Sequence, residues 1–268
     1  MNSPITGRTT IAELVDFWLG KIRTTGRLES TTINEYERVL RGLVVPDLGN
    51  LQLAEVTTDV INAVLSELST QSVNRQRKAK VVTGAMLDVA VEAGALASNP
   101  VRGSMSVSRP KSETRTLTMA DLETVRTAVR ASMTKDRPGP KTSGDLADVV
   151  ELMLGTGARI GEVLALRWSD INLQARTVEI NATIKTETGK GTYRKALANA
   201  RVRELSEFAT AVLRSRHNAR LPHAIDAVFP TRNGTWQQVN NVERRWRQIR
   251  QEARLDWVTP QAFRRSAR

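Results

Sequence analysis

Apolar residues recur at helical spacing through the first hundred positions of the chain. Ile11, Leu14, Val15, Trp18 and Leu19 fall at intervals of three and four and form one face of a first helix. Thr10 and Glu13 precede that face with the spacing of a capping box. A second helix is predicted through Ile33, Tyr36, Val39, Leu40 and Leu43, with Ser30 and Thr31 as caps, stopping before Pro46 and turning at Gly49. Thr57 or Thr58 caps a third, through Val60, Ile61, Val64, Leu65 and Leu68. The fourth carries Val81, Met86, Leu87, Val89 and Ala90 and runs to Gly94, and Asn99-Pro100 closes the unit. Residues 8–102 are thus expected to be a helical bundle. Residues 103–114 are polar, poor in apolar side chains and contain Ser, Arg, Pro and Lys, the composition of an inter-domain linker.

A second series of elements begins at about residue 115. Thr118 and Asp121 restart a helix with Leu122, Val125, Ala128 and Val129, and Pro138-Gly139-Pro140 forces a loop. Leu146, Val149, Val150, Met153 and Leu154 make another apolar helix. Val178, Ile180, Ala182 and Ile184 alternate with polar residues, and a second strand is predicted over residues 201–205, giving a small hairpin or meander. The segment 185–200 between them holds Lys185, Lys190, Arg194, Lys195 and two glycines, and is long for a hairpin loop. Residues 209–217 read as helix, Val228-Phe229-Pro230 with residues 231–235 as a buried turn, and Val242, Trp246 and Ile249 as one face of a very basic helix. Thr259-Pro260 then starts a helix that begins Gln261-Ala262-Phe263-Arg264-Arg265. The expected fold is mainly α with a small antiparallel β-sheet.

Charge narrows the partner. In 268 residues, 40 Lys and Arg against 28 Asp and Glu leave a net charge of +12, which favours a polyanion, with nucleic acid ahead of a membrane surface. The chain has no cysteine and two histidines, His217 and His223, so a disulfide framework is excluded, and a zinc site or a cysteine nucleophile nearly so. No cofactor and no metal are expected. No apolar run approaches the length of a membrane span and residues 1–10 lack the apolar core of a signal peptide, so a soluble, cytoplasmic protein is expected. An aromatic content of 4% and the lack of a stacking motif argue against an RNA-binding module.

The stretch from Gly155 to Ile171 concentrates the candidate chemistry. Its glycines open a tight turn and Arg159 sits in the first turn of the helix that follows, beside free backbone N–H groups that favour an anion. Ile160, Val163, Leu164 and Leu166 anchor that helix while Arg159 and Glu162 share another side. Two readings stand at this point: a phosphate grip, or an ordinary helix start with a surface arginine. Arg75, Arg77, Lys78 and Lys80 cluster near the start of the fourth helix, either against a phosphate backbone or as solvated surface.

The order of these pieces resembles the tyrosine recombinase (phage integrase) family over nearly the whole chain: a helical core-binding domain to about Val101, a linker, and a catalytic domain from about Arg115. The most specific elements are Thr-Gly-Ala-Arg-Ile-Gly-Glu at 156–162 with Leu-Arg-Trp-Ser-Asp-Ile at 166–171, and Thr-Pro-Gln-Ala-Phe-Arg-Arg at 259–265 in the place of the family's His-x-x-Arg box. Residues 195–205 resemble, more weakly, the lysine-bearing β-turn.

The resemblance implies attack of a tyrosine oxygen on a DNA phosphodiester, a 3′-phosphotyrosyl intermediate and no metal. It implies that Arg159 and Arg264 hold the non-bridging oxygens, that Lys195, with Lys190 behind it, protonates the departing 5′-oxygen, and that Glu162 braces the site. Lys190 and Arg194 join the basic cluster of the fourth helix as expected DNA contacts. Gln261 replaces the box histidine and can donate only a neutral hydrogen bond. Tyr36 and Tyr193, the two tyrosines, do not match the place of the nucleophile, so the catalytic domain is expected to be incomplete and the chain to bind duplex DNA without cleaving it. The implied setting is prokaryotic and nucleoid-associated, with recombinase subunits assembling as a tetramer on an attachment or recombination site. The alternatives are a non-catalytic DNA-binding regulator of an intact recombinase and a degenerate gene remnant. A last helix this short is expected to fray, carrying Arg264 away from Arg159 and exposing apolar surface on the elements before it.

Overall fold

The computed structural model describes residues 5–108, 115–134, 145–220 and 225–266. The Pro138-Gly139-Pro140 loop, residues 109–114 of the expected linker and His223 lie outside the described residues. The chain divides into two compact units, Met1–Ser112 and Glu113–Arg268.

The first unit is helical: α1 (Ile11–Thr25), α2 (Ser30–Leu43), α3 (Val45–Leu48), α4 (Thr58–Gln71) and α5 (Val73–Glu92). Thr10 and Glu13 close the capping box, with Thr10 N–H donating to Glu13 Oε2 at 2.8 Å and Glu13 N–H to Thr10 Oγ1 at 3.3 Å. Gly26, with φ +62°, ends α1 in the left-handed conformation. The predicted apolar faces converge on one core, where Ile11, Leu14, Val39, Leu40, Met86 and Leu87 are fully buried, and Trp18 stacks on Tyr36 at 5.7 Å. The second helix stops before Pro46 as expected, and Pro46 sits in the first turn of α3, where its missing N–H is no loss. Two details differ from the sequence reading. The cap of α2 is Glu29 rather than Ser30 or Thr31. Val81 is 58% exposed, because the buried stripe of α5 follows Ala79, Val82, Met86 and Ala90, and position 81 points about 100° away from Val82.

The second unit contains α6 (Met119–Thr134), α7 (Asp145–Thr156), α8 (Ile160–Val163), strands β1 (Ile171–Asn172), β2 (Thr177–Glu187) and β3 (Gly191–Glu204), then α9 (Glu207–Asn218), α10 (Val239–Glu252) and α11 (Pro260–Arg265). The sheet is antiparallel in the order β1-β2-β3. Val178, Ile180, Ala182 and Ile184 face the core as their alternation requires.

The expected long loop at 185–200 is instead mostly strand. Pairing runs out to Glu187↔Gly191, and the turn is made at residues 188–190 by Gly189 (φ +83°), with Gly191 (φ +74°) behind it. The extra length is taken up further along. Ile180 pairs with Arg201 and Ala182 with Ala196, so residues 197–200 bulge out opposite Asn181.

A polar network unpredicted from sequence ties α7, α9 and the segment just before α10 together: Arg216 donates to Asp148 at 2.6 Å and to Asp145 at 2.8 Å, and Gln237 donates to Asp145 at 2.8 Å. The expected fraying of the last helix does not occur. Phe263 and Ala262 are buried, Phe263 lies 5.1 Å from Trp246, and the Trp246 indole donates to the Val258 carbonyl at 2.8 Å. Burial of that face, rather than intrinsic propensity, holds this short helix. Thr259 caps it by position but makes no side-chain cap bond.

Candidate active site

Gly155 and Gly157 have separate jobs. Gly155 lies inside α7, where a Cβ would meet Ser206 Oγ at 2.7 Å and Ala209 Cβ at 2.9 Å, so it permits the close approach of α7 to the start of α9. Gly157 makes the turn, with φ +65°. Arg159 follows as the N-cap of α8, which is a single turn. The sequence reading of a longer helix with free N–H groups at its start is therefore corrected: the Arg159 N–H donates to Glu162 Oε2 at 2.9 Å, and the charge at this turn comes from side chains.

Glu162 is the hub. Its side chain is 3% exposed, yet it receives Arg159 Nη1 on Oε1 at 3.1 Å and Arg201 Nη2 on Oε2 at 2.5 Å. Burial pushes the Glu162 carboxyl up, and the hydrogen bonds from Arg201, the Arg159 backbone and the Arg159 side chain outweigh it, so its pKa falls below the usual 4.5. The Arg159 side chain, by contrast, is 59% exposed and presents its remaining donors outward.

Two further elements are drawn to this turn. Gly161 lies so close to β2 that a Cβ would be 2.8 Å from Thr183 Oγ1, and Thr183 pairs with Lys195 on β3. Lys195 is therefore inside the strand, next to the bulge, rather than in a loop before it. From the other end of the unit, Arg264 Nε donates to the Gly157 carbonyl at 3.1 Å. Gln261 is exposed one turn earlier on α11. Arg159, Glu162, Lys195 and Arg264 thus sit on elements that meet at one turn. Arg201 joins them directly, although the sequence reading of residues 195–205 rests on their lysine and not on this arginine; it stands 39 residues from Glu162, and only the register of β3 places it there.

The other expected DNA contacts fare differently. Arg194, expected as a DNA contact, is turned inward, with its guanidinium donating to the Ala165 carbonyl at 2.9 Å, to Asp170 at 3.0 Å and to Asn181. The reason is its register opposite buried Ile184. Lys190 is exposed at the hairpin tip and pairs with Glu187 at 3.1 Å. On α5, Lys80 donates to the carbonyls of Ser104 at 3.1 Å and Met105 at 2.6 Å, so it is a strap on residues once expected to be linker. Lys78 pairs with Glu35, Arg75 donates to Gln71 at 2.7 Å, and Arg77 is exposed. Tyr36 is stacked on Trp18, and the Tyr193 hydroxyl donates to Glu187. Among the described residues no cluster of His, Asp and Glu fits a metal, and no helix is long and apolar enough to cross a membrane.

Comparison with known proteins agrees with this geometry. Residues 136–268 match the Phage integrase family and residues 12–105 match the Phage integrase central domain. No curated protein matches. Among solved structures, the integrase of transposon Tn1549 in complex with circular intermediate DNA has a TM-score of 0.77 at 19% identity, covering 96% of this chain and 85% of that one. A lambda integrase dimer bound to a COC′ core site has a TM-score of 0.71 at 16% identity, covering 96% and 69%. A lambda integrase tetramer bound to a Holliday junction scores 0.71 at 15% identity, covering 96% and 71%. With the helical first unit, the three-stranded second unit and both arginine boxes at one turn, the chain belongs to the phage integrase family of tyrosine recombinases.

Proposed function

We propose that this chain binds duplex DNA as a site-specific integrase of a phage or transposon does, and that its second unit grips one backbone phosphate between Arg159 and Arg264. The observation that carries this reading is the hydrogen bond from Arg264 to the carbonyl of Gly157, which brings the second arginine box to within two residues of the first. Two guanidiniums beside one turn supply forked donors for the non-bridging oxygens, where negative charge grows as the phosphate is attacked. Lys195, on the strand paired to Thr183, is the candidate acid for the departing 5′-oxygen. Gln261 offers a neutral donor in the place of a histidine, so it helps hold a phosphate oxygen but moves no proton.

The nucleophile is the part these residues do not supply. Tyr36 lies in the first unit's core against Trp18, and Tyr193 is committed to Glu187. The 268 residues therefore bind without cleaving, and this binding-only behaviour also suits a regulator that occupies recombination sites. The dimer and tetramer on DNA described for lambda integrase support assembly of several copies on a recombination site.

The test is binding of a mixed-sequence duplex by fluorescence anisotropy across salt, with a nicked duplex that traps covalent protein. A log–log salt slope of about −0.9 per phosphate neutralised is expected, with no covalent adduct. Arg159→Ala and Arg264→Ala should each weaken binding. A flat salt response removes the DNA reading, and a covalent adduct removes the binding-only one.

A further inference from the structure

We propose that Arg201 is a positioning residue of the phosphate site, locking the strand that carries Lys195 to the Arg159 turn through the shared carboxylate of Glu162. The proposal rests on the reading of that turn as a phosphate site.

Glu162 has two oxygens and three donors. Oε1 takes Arg159 Nη1; Oε2 takes both the Arg159 N–H and Arg201 Nη2. A carboxylate 3% exposed needs this density of donors to stay ionised, since water contributes almost nothing to its solvation. With Arg201 removed, the carboxylate keeps Arg159 alone, and Arg159 is the more exposed of its two cations, at 59% against 28%. Arg159 would then be held closer and more tightly by Glu162, or lose it to protonation. Either change alters how its outward donors meet a phosphate.

The backbone around Arg201 supports a mechanical role as well. Residues 197–200 leave the β2 ladder, with Lys195 and Ala196 on one side of the bulge and Arg201 on the other. An irregular segment of this kind has few ladder bonds to fix it. The ion pair to Glu162 pins its far end to α8, while Thr183 against Gly161 pins the near end. Lys195 is thereby held between two fixed points. Arg203, two residues further along the same strand, is exposed and provides the contrast.

The experiment compares the wild-type chain with Arg201→Ala, Arg201→Lys, Arg159→Ala, the Arg159→Ala/Arg201→Ala double variant and Arg203→Ala as a control for the loss of one positive charge. Binding to a mixed-sequence DNA duplex is measured by anisotropy, and the Glu162 carboxyl carbon is titrated by NMR without DNA. Arg201→Ala is expected to weaken binding about tenfold, more than Arg203→Ala, with Arg201→Lys restoring most of it. The double variant should bind no more weakly than Arg159→Ala alone, because both changes act through one group. The Glu162 titration should move to higher pH in Arg201→Ala. If the two losses multiply, if Arg201→Ala behaves as Arg203→Ala, or if the titration does not move, Arg201 is one more surface cation and the proposal falls. Should Arg201→Ala fail to fold by circular dichroism, Arg201→Gln takes its place. Absence of duplex binding in the wild-type chain sinks the phosphate-site reading, while the carbon titration still decides whether Arg201 controls Glu162.

Discussion

Arg264 donates its Nε–H to the carbonyl of Gly157 at 3.1 Å, across 107 residues of chain. That bond depends on Phe263, whose burial against Trp246 fixes the helix on which Arg264 rides. Phe263→Ala is therefore expected to cost about 3–5 kcal/mol of stability. Its thermal midpoint should fall and its DNA affinity should fall with it, even at temperatures where most of the protein remains folded. Arg264→Ala should leave the midpoint nearly unchanged and lose affinity alone. Calorimetry and anisotropy on the two variants separate these outcomes.

Gly161→Ala tests the contact between the Arg159 turn and the sheet. The new methyl would lie 2.8 Å from Thr183 Oγ1, with the Ile184 carbonyl at 3.7 Å and Val239 at 3.5 Å closing the other sides. Such overpacking costs about 1–3 kcal/mol. The double variant Gly161→Ala/Thr183→Ala removes the clashing hydroxyl and should recover part of that loss in chemical denaturation. No recovery would mean that the strain lies elsewhere.

The acid limb of stability follows from Glu162. Its folded pKa lies below 4.5, so the unfolded chain takes up a proton first as pH falls. Its contribution is present above about pH 4.5 and is lost as pH drops through the folded value. Glu35 acts in the same direction in the first unit, held at about 2 by hydrogen bonds from Arg38 and Lys78, though its exposure keeps the effect small. Asp148 acts in the opposite direction. Burial first, offset by Arg216, leaves its carboxyl above 3.8, so that part favours the native state at low pH and fades as pH rises. Glu162→Gln should cost about 2 kcal/mol at neutral pH and flatten the acid limb of urea midpoints measured between pH 6 and pH 3. An unaltered acid limb would show that Glu162 is not responsible for it.

What could be read from sequence was what depends on local pattern. The capping box at Thr10 and Glu13, the apolar faces of α1 and α4 and the inward alternation of Val178 to Ile184 are set by neighbours three or four residues away or by every second residue. Register was not legible. Nothing local tells that β3 begins at Gly191, that three extra residues bulge after Ala196, or that Arg194 turns inward while Arg201 reaches Glu162. The same holds for α11: its length suggested fraying, and only the burial of Phe263, a contact with a residue 17 positions earlier, explains why it is held. The network of Asp145, Asp148, Arg216 and Gln237 joins residues up to 92 positions apart and left no spacing to find.

The basic cluster of α5 gives the last prediction, because similar residues there have dissimilar surroundings. Lys80 has its ammonium on the carbonyls of Ser104 and Met105, and Met105 N–H in turn donates to Asn62 at 2.8 Å, so Lys80 holds the chain where it leaves the helical core. Arg77 is exposed on the same helix. Lys80→Met should therefore destabilise the first unit by about 1–3 kcal/mol, since two carbonyls lose a charged donor, and change the salt slope of DNA binding little. Arg77→Ala should do the reverse, leaving stability within about 0.5 kcal/mol and lowering the salt slope by about one. Denaturation and anisotropy on each variant measure both quantities. Equal slopes for the two variants would mean that α5 contributes packing only, and that the positive charge meeting DNA lies elsewhere on the chain.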